Sequence, residues 1–376
     1  MIDLDAAREL FEASSDLTVG IEEEYALVDP STLLLVPAFE RLRDAALTDP
    51  LLATSIAGEL ISSEIEIRSG RGEDLADALR RQADCRERLF ALARREGIAL
   101  GATGTHALSD YREQHIIATE HYRLVEEGLK YVAWRNNTFS VHVHVGVRGA
   151  DRAVRVCDRL RPILPSLLAI SANSPFIDGR DSGLHSGRTQ TFTKSFPRCG
   201  IPDTFGSWDA WAHYVDLLVR TGSIVEFTQL WWSVRPHHAF GTVEVRICDA
   251  QTTAAESDAL AELIVACVRQ AAREVDAGEL PAEVPARLIE ENMWRAIRYG
   301  LDGRLLDLEA PVIEEYAAAE AVDRLCAWAG IDRVGLPENN GAQRQRRMLD
   351  AGASAAEVYA QCVRETQSTY REVDVR

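Results

Sequence analysis

The chain has 376 residues, 46% of them hydrophobic, and a formal charge of -18 from 41 basic and 59 acidic side chains. That is ample apolar material for a large core, and length alone suggests about two or three domains. The acidic balance argues against a nucleic-acid-binding surface, which needs a basic patch.

Met1 to Leu17 is acidic and reads as a short amphipathic helix, without the basic and apolar regions of a leader. A strand over Thr18 to Val28 ends at the turn signal Asp29-Pro30-Ser31, and a short return strand follows through Leu33 to Val36. Residues 58–68 predict another strand, and Glu73 to Glu96 a long amphipathic helix. Next come a strand at Ile98 to Ala102, a helix around Glu113 to Tyr131, a strand holding Val141 to Gly146, and a helix from Ala153 to Ala172. Residues 173–206 are rich in Gly, Pro, Ser, Thr and Arg with little periodicity, which predicts a functional loop or lid. A helix over Trp208 to Thr221 precedes strands at Val225 to Leu230 and Gly241 to Cys248, and Thr252 to Glu372 reads as almost wholly helical.

Strands before residue 250 and helices after it predict an α+β architecture, one antiparallel sheet backed by helices in a single catalytic domain spanning residues 1–376. The helix-rich surface after residue 250 could support a homo-oligomer, though no feature demands one. The seven cysteines are scattered with no Cys-x-x-Cys pair, which predicts reduced thiols in a cytosol rather than a disulfide framework or a zinc ribbon. No stretch approaches the roughly 18 apolar residues of a membrane span, so a soluble, cytoplasmic protein without membrane partners is expected.

Four of the predicted strands place ionisable residues two apart: Glu22 and Glu24, Glu64 and Glu66, His142 and His144, Glu244 and Arg246. Residues i and i+2 of a strand share a face, so each pair projects together while Ile65, Ile67, Val141, Val143, Val145, Val243, Val245 and Ile247 face the other way. Carboxylates gathered on one surface repel unless cations hold them, which points to a divalent-metal site rather than an ordinary wet face. No Gly-x-x-x-x-Gly-Lys-Ser/Thr loop and no His-Glu-x-x-His helix occurs, so a P-loop and a zinc protease are not expected.

Together with Trp231-Trp232-Ser233-Val234-Arg235-Pro236 leading into Gly241-Thr242-Val243-Glu244-Val245-Arg246, these stretches resemble the carboxylate–amine ligase family, the glutamate–cysteine ligase type 2 (YbdK-type) group. Weaker matches are Arg188-Thr189-Gln190, Glu291-Asn292 and Trp294-Arg295-Ala296. The resemblance implies a glutamine synthetase-like fold, a curved antiparallel sheet whose concave face binds metals and ATP. It implies ATP-dependent ligation of glutamate, or a similar acid, to cysteine or another amine, with magnesium or manganese. By matching position, Glu22, Glu24, Glu66, His142 and Glu244 are the implied metal ligands, and Arg246 the group facing the phosphates. His144 either contacts nucleotide phosphate or orients its neighbours by hydrogen bonds, and Glu64 and Arg68 are implied at the substrate. Arg235, after the paired tryptophans, is a further candidate catalytic group. Arg188 and Arg198 are candidates for a substrate α-carboxylate; Arg295 and Arg298 either hold phosphate or pair with Glu290 and Glu291. Ser233 stands where the family often has Asp, and His185 lies in a variable loop, which leaves the substrate pair open. Another acid and amine, a phosphagen-type kinase, or a silent metabolite-binding protein are the competing readings.

Overall fold

Polar–apolar alternation builds the central sheet. A computed structural model describes residues 3–310, 312, 314–333 and 335–370; Met1, Ile2, Arg371 and Glu372, at the ends of the expected helical stretches, lie outside the described residues. Strands β1 (Val19–Val28), β2 (Ile56–Ala57), β3 (Glu64–Arg68), β4 (Ala99–Gly101), β5 (Val141–Gly146), β6 (Val234–His237) and β7 (Thr242–Val245) form a seven-stranded sheet in the order β6-β7-β5-β1-β3-β2, with β4 also paired to β1. Every pairing is antiparallel. This is the α+β arrangement expected, one antiparallel sheet backed by helices.

Register decides which side chains meet. Glu22 lies opposite Arg68 and His142, Glu24 opposite Glu66, and Glu244 opposite His144 and Arg235. Cross-strand partners share a face, so these residues gather on one side. Ile21, Ile65, Ile67, Val143, Val145, Val243 and Val245 take the other side, each no more than 1% exposed. Each such side chain contributes about 1.5–3 kcal/mol by leaving water.

Helices cover that apolar face. These are α1 (Leu4–Glu12), α2 (Leu75–Arg95), α4 (Ala150–Leu160) and α5 (Ala254–Ala277), whereas α3 (Glu120–Leu129) stands on the polar side. Of these, α2 packs on β1 and β3, α4 on β6 and β7, and α5 on β5. Asp74 caps α2 by accepting from the Asp77 amide, and Thr253 caps α5 by accepting from Glu256. α5 stops at Gly278, whose φ of +70° suits glycine.

Several expected elements differ. Residues 227–229 form a 3-10 turn instead of a strand, because the Arg235 guanidinium draws the carbonyls of Thr228 and Leu230 around itself. A two-residue strand at Trp231–Trp232 pairs with Cys199–Gly200, and the central sheet is rejoined at Val234. Of residues 58–68 only Glu64–Arg68 are strand, and the Leu33–Val36 return strand is a single bridge from Leu35 to Val28. The helix expected from Ala153 to Ala172 is interrupted by a 3-10 turn at Arg161–Ile163, where Pro162 and Pro165 lack amide donors. Residues 173–206 are pinned rather than loose: the buried Asp249 carboxylate accepts from the Asn173 amide and from the hydroxyls of Ser174 and Ser186. After residue 252 the helices are joined by a hairpin of Arg304–Leu306 with Glu315–Ala317. Among the described residues, no helix is long and apolar enough to cross a membrane.

Candidate active site

The polar face floors a cavity of about 430 Å³. Glu22, Glu24, Glu64, Glu66, Arg68, His142, Arg235, Glu244 and Arg246 all line it. Its walls come from other elements: Tyr122 and Val125 of α3, Phe192 and Phe196 of the pinned 173–206 segment, and Trp231. A second cavity of about 750 Å³, lined by Leu10, Ala13, Leu51, Thr54 and Arg71 among others, adjoins it. Glu22, Arg68, Ala239 and Phe240 border both.

Three groups of donors lie in a row across the strands: Glu24 with Glu59 and Glu66, Glu22 with Glu66 and His142, and Glu22 with His144 and Glu244. Within each group the donor atoms all lie within 4.8 Å of one another. Glu66 and Glu22 are shared, so the groups form one continuous ribbon. The set fits a divalent cation such as magnesium or manganese, because oxygen donors dominate and imidazole is added at one end. One buried atom among these donors reinforces that fit: His144 Nε2 has no hydrogen-bond partner.

Secondary contacts hold the donors in place. The Ser140 hydroxyl donates to Glu24 Oε2 at 2.7 Å and sits 2.7 Å from His142 Nε2. His142 Nδ1 is 3.4 Å from Glu22, and His144 Nε2 lies 3.3 Å from Glu22 and 3.7 Å from Glu244. Arg235 donates to Glu244 at 2.6 Å, and Arg246 bonds the other Glu244 oxygen.

Charge is unevenly distributed along the ribbon. At one end burial opposes ionisation of Glu244, but Arg235, Arg246 and His144 hold its carboxyl well below the usual carboxylate range. At the other, burial together with Glu22, Glu59 and Glu24 pushes Glu66 well above it. Burial and the neighbouring Glu24 raise Glu59 to about 8. Glu64 is raised by burial and by Glu24, Glu59 and Glu66. Burial and Arg246 lower His142, whereas for His144 burial is outweighed by Glu22 and Glu244, which raise it.

The remaining candidates separate. Arg188 reaches the cavity wall, but its guanidinium donates to the carbonyls of Ile247 and Arg246 at 3.1 Å, so it braces the chain after β7 rather than presenting a free fork. Arg198 is outside the cavity lining, bonded to the Gln229 carbonyl at 3.3 Å and set over Trp231. Arg295 pairs with Glu291 and Glu315, and Arg298 with the Gly183 carbonyl. Both stand on the helix Ala286–Tyr299 and neither lines either cavity; the Arg295–Glu291 pair is the alternative to phosphate binding that the sequence offered. Arginines three apart share a helix face without that face reaching the sheet.

Glu59 was not anticipated. In an unbroken strand over 58–68 it would face away from Glu64 and Glu66; the irregular backbone at 58–63 brings it round to join them.

Residues 18–369 match the family model described as Glutamate-cysteine ligase family 2 (GCS2). A relative from Rubrobacter xylanophilus, provisionally named glutamate–cysteine ligase 2-2, is 38% identical over 360 residues, covering 93% of this chain and 92% of its own. One from Sorangium cellulosum, provisionally named glutamate–cysteine ligase 2, is 39% identical, covering 95% and 94%. Among solved structures, the glutamate–cysteine ligase of Francisella tularensis in complex with AMP superposes with a TM-score of 0.71 at 11% identity, over 96% of this chain and 91% of that one. The bifunctional glutathione synthetase of Pasteurella multocida gives 0.69 at 14% identity over 97% of this chain, which spans 54% of that longer protein.

Proposed function

The chain belongs to glutamate–cysteine ligase family 2, a family of ATP-dependent carbon–nitrogen ligases, and on that premise we propose that it joins the γ-carboxylate of glutamate to an amine, cysteine first among the candidates. The observation that carries this reading is the ribbon of shared carboxylate and imidazole donors on one sheet face, running to a second cavity through Glu22 and Arg68. The larger cavity takes the nucleotide, and the carboxylate-lined one takes the two substrates.

A carboxylate is a poor electrophile, so it must first be phosphorylated. Divalent cations held by Glu22, Glu24, Glu59, Glu66, His142 and Glu244 would offset the repulsion between acid and triphosphate. Arg246, whose Nε lacks a partner, stabilises charge on the transferring phosphoryl group. Arg235 fixes Glu244, and through it Arg246, so its part is positioning. Arg68, 40% exposed and 3.6 Å from Glu66, is free to grip a substrate carboxylate. The unpartnered Glu64 oxygen accepts a hydrogen bond from the incoming amine, and the amine's proton leaves with the displaced phosphate. Amine nitrogen then bonds to the acyl carbon as the carbon–oxygen bond to phosphate breaks, leaving amide and inorganic phosphate.

The test is phosphate release from ATP and magnesium with glutamate across a panel of amines, with products identified by mass spectrometry. A γ-glutamyl amide is expected, with one phosphate per amide. Complete absence of acid-dependent ADP formation overturns the ligase reading; ADP formed alongside a stable phosphorylated product, with no amide from any amine, indicates a kinase.

A further inference from the structure

We propose that Phe240 is a water seal at the junction of the two cavities, protecting an acyl phosphate until the amine arrives. The inference rests on the ligase reading above, and it concerns a residue that alternation along the strands does not single out.

Phe240 sits in the turn joining β6 to β7, where its amide and that of Gly241 both donate to the His237 carbonyl. The turn is braced from outside. Ser14 donates to the Gly241 carbonyl at 2.8 Å, and Gly241, at a φ of +62°, passes so close to α1 that an added Cβ would meet the Leu10 carbonyl at 2.8 Å. The Phe240 ring stacks on His237 with centroids 4.5 Å apart and planes at 12°. It also stands edge-on to His144 at 5.4 Å, the imidazole whose Nε2 lies between Glu22 and Glu244.

That placement is unusual chemistry for an aromatic ring. Phe240 is 54% exposed and borders both cavities, next to the carboxylates and guanidinium of the phosphoryl-transfer region. A phenyl ring neither ligates a cation nor donates to a phosphate. What it does beside such groups is displace water, and filled cavities would bury the half of it now exposed. The need is specific to this reaction: attack of the amine on the acyl carbon gives amide and phosphate, while attack of water returns the acid and phosphate. The net loss is one ATP hydrolysed for nothing. Excluding water at the junction separates these outcomes.

The experiment is the ratio of phosphate released to amide formed, for unaltered protein and for the Phe240→Ala and Phe240→Leu variants. Thermal melts establish that each variant is folded. The ratio is expected near one for the unaltered protein, and to rise about threefold or more in Phe240→Ala as water gains access. Phe240→Leu, which keeps apolar bulk, falls between. A ratio unchanged in both variants overturns the seal. So does a raised KM for ATP with coupling intact, which makes Phe240 a nucleotide-stacking platform instead. If Phe240→Ala does not fold, a ratio in Phe240→Leu equal to that of the unaltered protein overturns the proposal, and a raised ratio supports it. Failure of the unaltered protein to form any acid-dependent ADP removes the ligase reading itself, which the coupling ratio does not address.

Discussion

Glu22, Glu23 and Glu24 follow one another along β1, all withdrawn from solvent, yet the two faces they serve hold charge in opposite ways. Glu23, on the helix-covered face, accepts from Arg86 twice at 2.7 Å, from Gln82 and Tyr25 at 2.8 Å, and from the Ser257 hydroxyl. Burial opposes its ionisation, but Arg86 and these hydrogen bonds hold its carboxyl below the ordinary range. Glu24 faces Glu59, Glu64 and Glu66, and the protein supplies too few cations to match them. One face is neutralised from within. The other, away from the arginine-held Glu244, is left for a ligand to neutralise, which is the signature of a binding site.

The largest test of that contrast is Glu24→Gln. An amide oxygen is a neutral, weaker ligand for a hard cation. Ligation rate is expected to fall roughly 10³-fold, about 4 kcal/mol of transition-state stabilisation. Stability without metal should hold or rise, since one member of a repelling cluster is removed. In parallel, magnesium should raise the melting temperature of the unaltered protein, by the equivalent of about 2.7 kcal/mol at a hundredfold excess over Kd, and do much less for the variant. Full activity in Glu24→Gln would falsify the assignment of that face.

Glu23→Gln, one residue away, is expected to do the reverse. It leaves Arg86, 2% exposed, with only Asp258 as a charged partner, and breaking a buried pair this way costs about 3–5 kcal/mol. Chemical denaturation should show that loss, while activity per folded molecule falls far less than in Glu24→Gln. If the two variants behave alike, the division of the strand into a binding face and a structural face is wrong.

Much of this was legible in the chain because a strand's period is two. Glu22, Glu24, Glu64, Glu66, His142, His144 and Glu244 could be assigned to one face from spacing alone, and register brings them together. What spacing could not supply was anything set by irregular backbone or by distant partners. Glu59 joins the cluster only because residues 58–63 leave the strand, and Arg235 turns inward on Glu244 and the Leu230 carbonyl, abolishing the strand expected over Val225 to Leu230. Arg198, Arg295 and Arg298 carry the right charge, but helix and loop positions beyond 190 have no period linking them to the sheet. The Glu23–Arg86 pair spans 63 positions, so its partner is visible only in three dimensions.

A buried group with no charged partner at all marks the third way to manage an ionisable side chain, and it sharpens the contrast by its pH dependence. His106, 1% exposed, has Nε2 2.8 Å from the Leu33 carbonyl, while Nδ1 accepts from the amides of Leu108 and Ser109. That network suits the neutral ring with its hydrogen on Nε2. Burial lowers its pKa to about 4, against the opposing hydrogen bond to Leu33. An unfolded histidine, titrating near 6.5, therefore takes up a proton on acidification before the folded one does. The stability it confers is complete above about pH 6.5 and is lost progressively as pH falls towards 4, reaching about 2 kcal/mol at pH 5. His106→Gln should be less stable than the unaltered protein at pH 7.5, through lost hydrogen bonds, but should show a shallower fall between pH 6.5 and 5. Denaturant midpoints measured across that window check it: parallel curves for the two proteins would mean that His106 is not the group being protonated, and that acid sensitivity arises among the carboxylates of β1 instead.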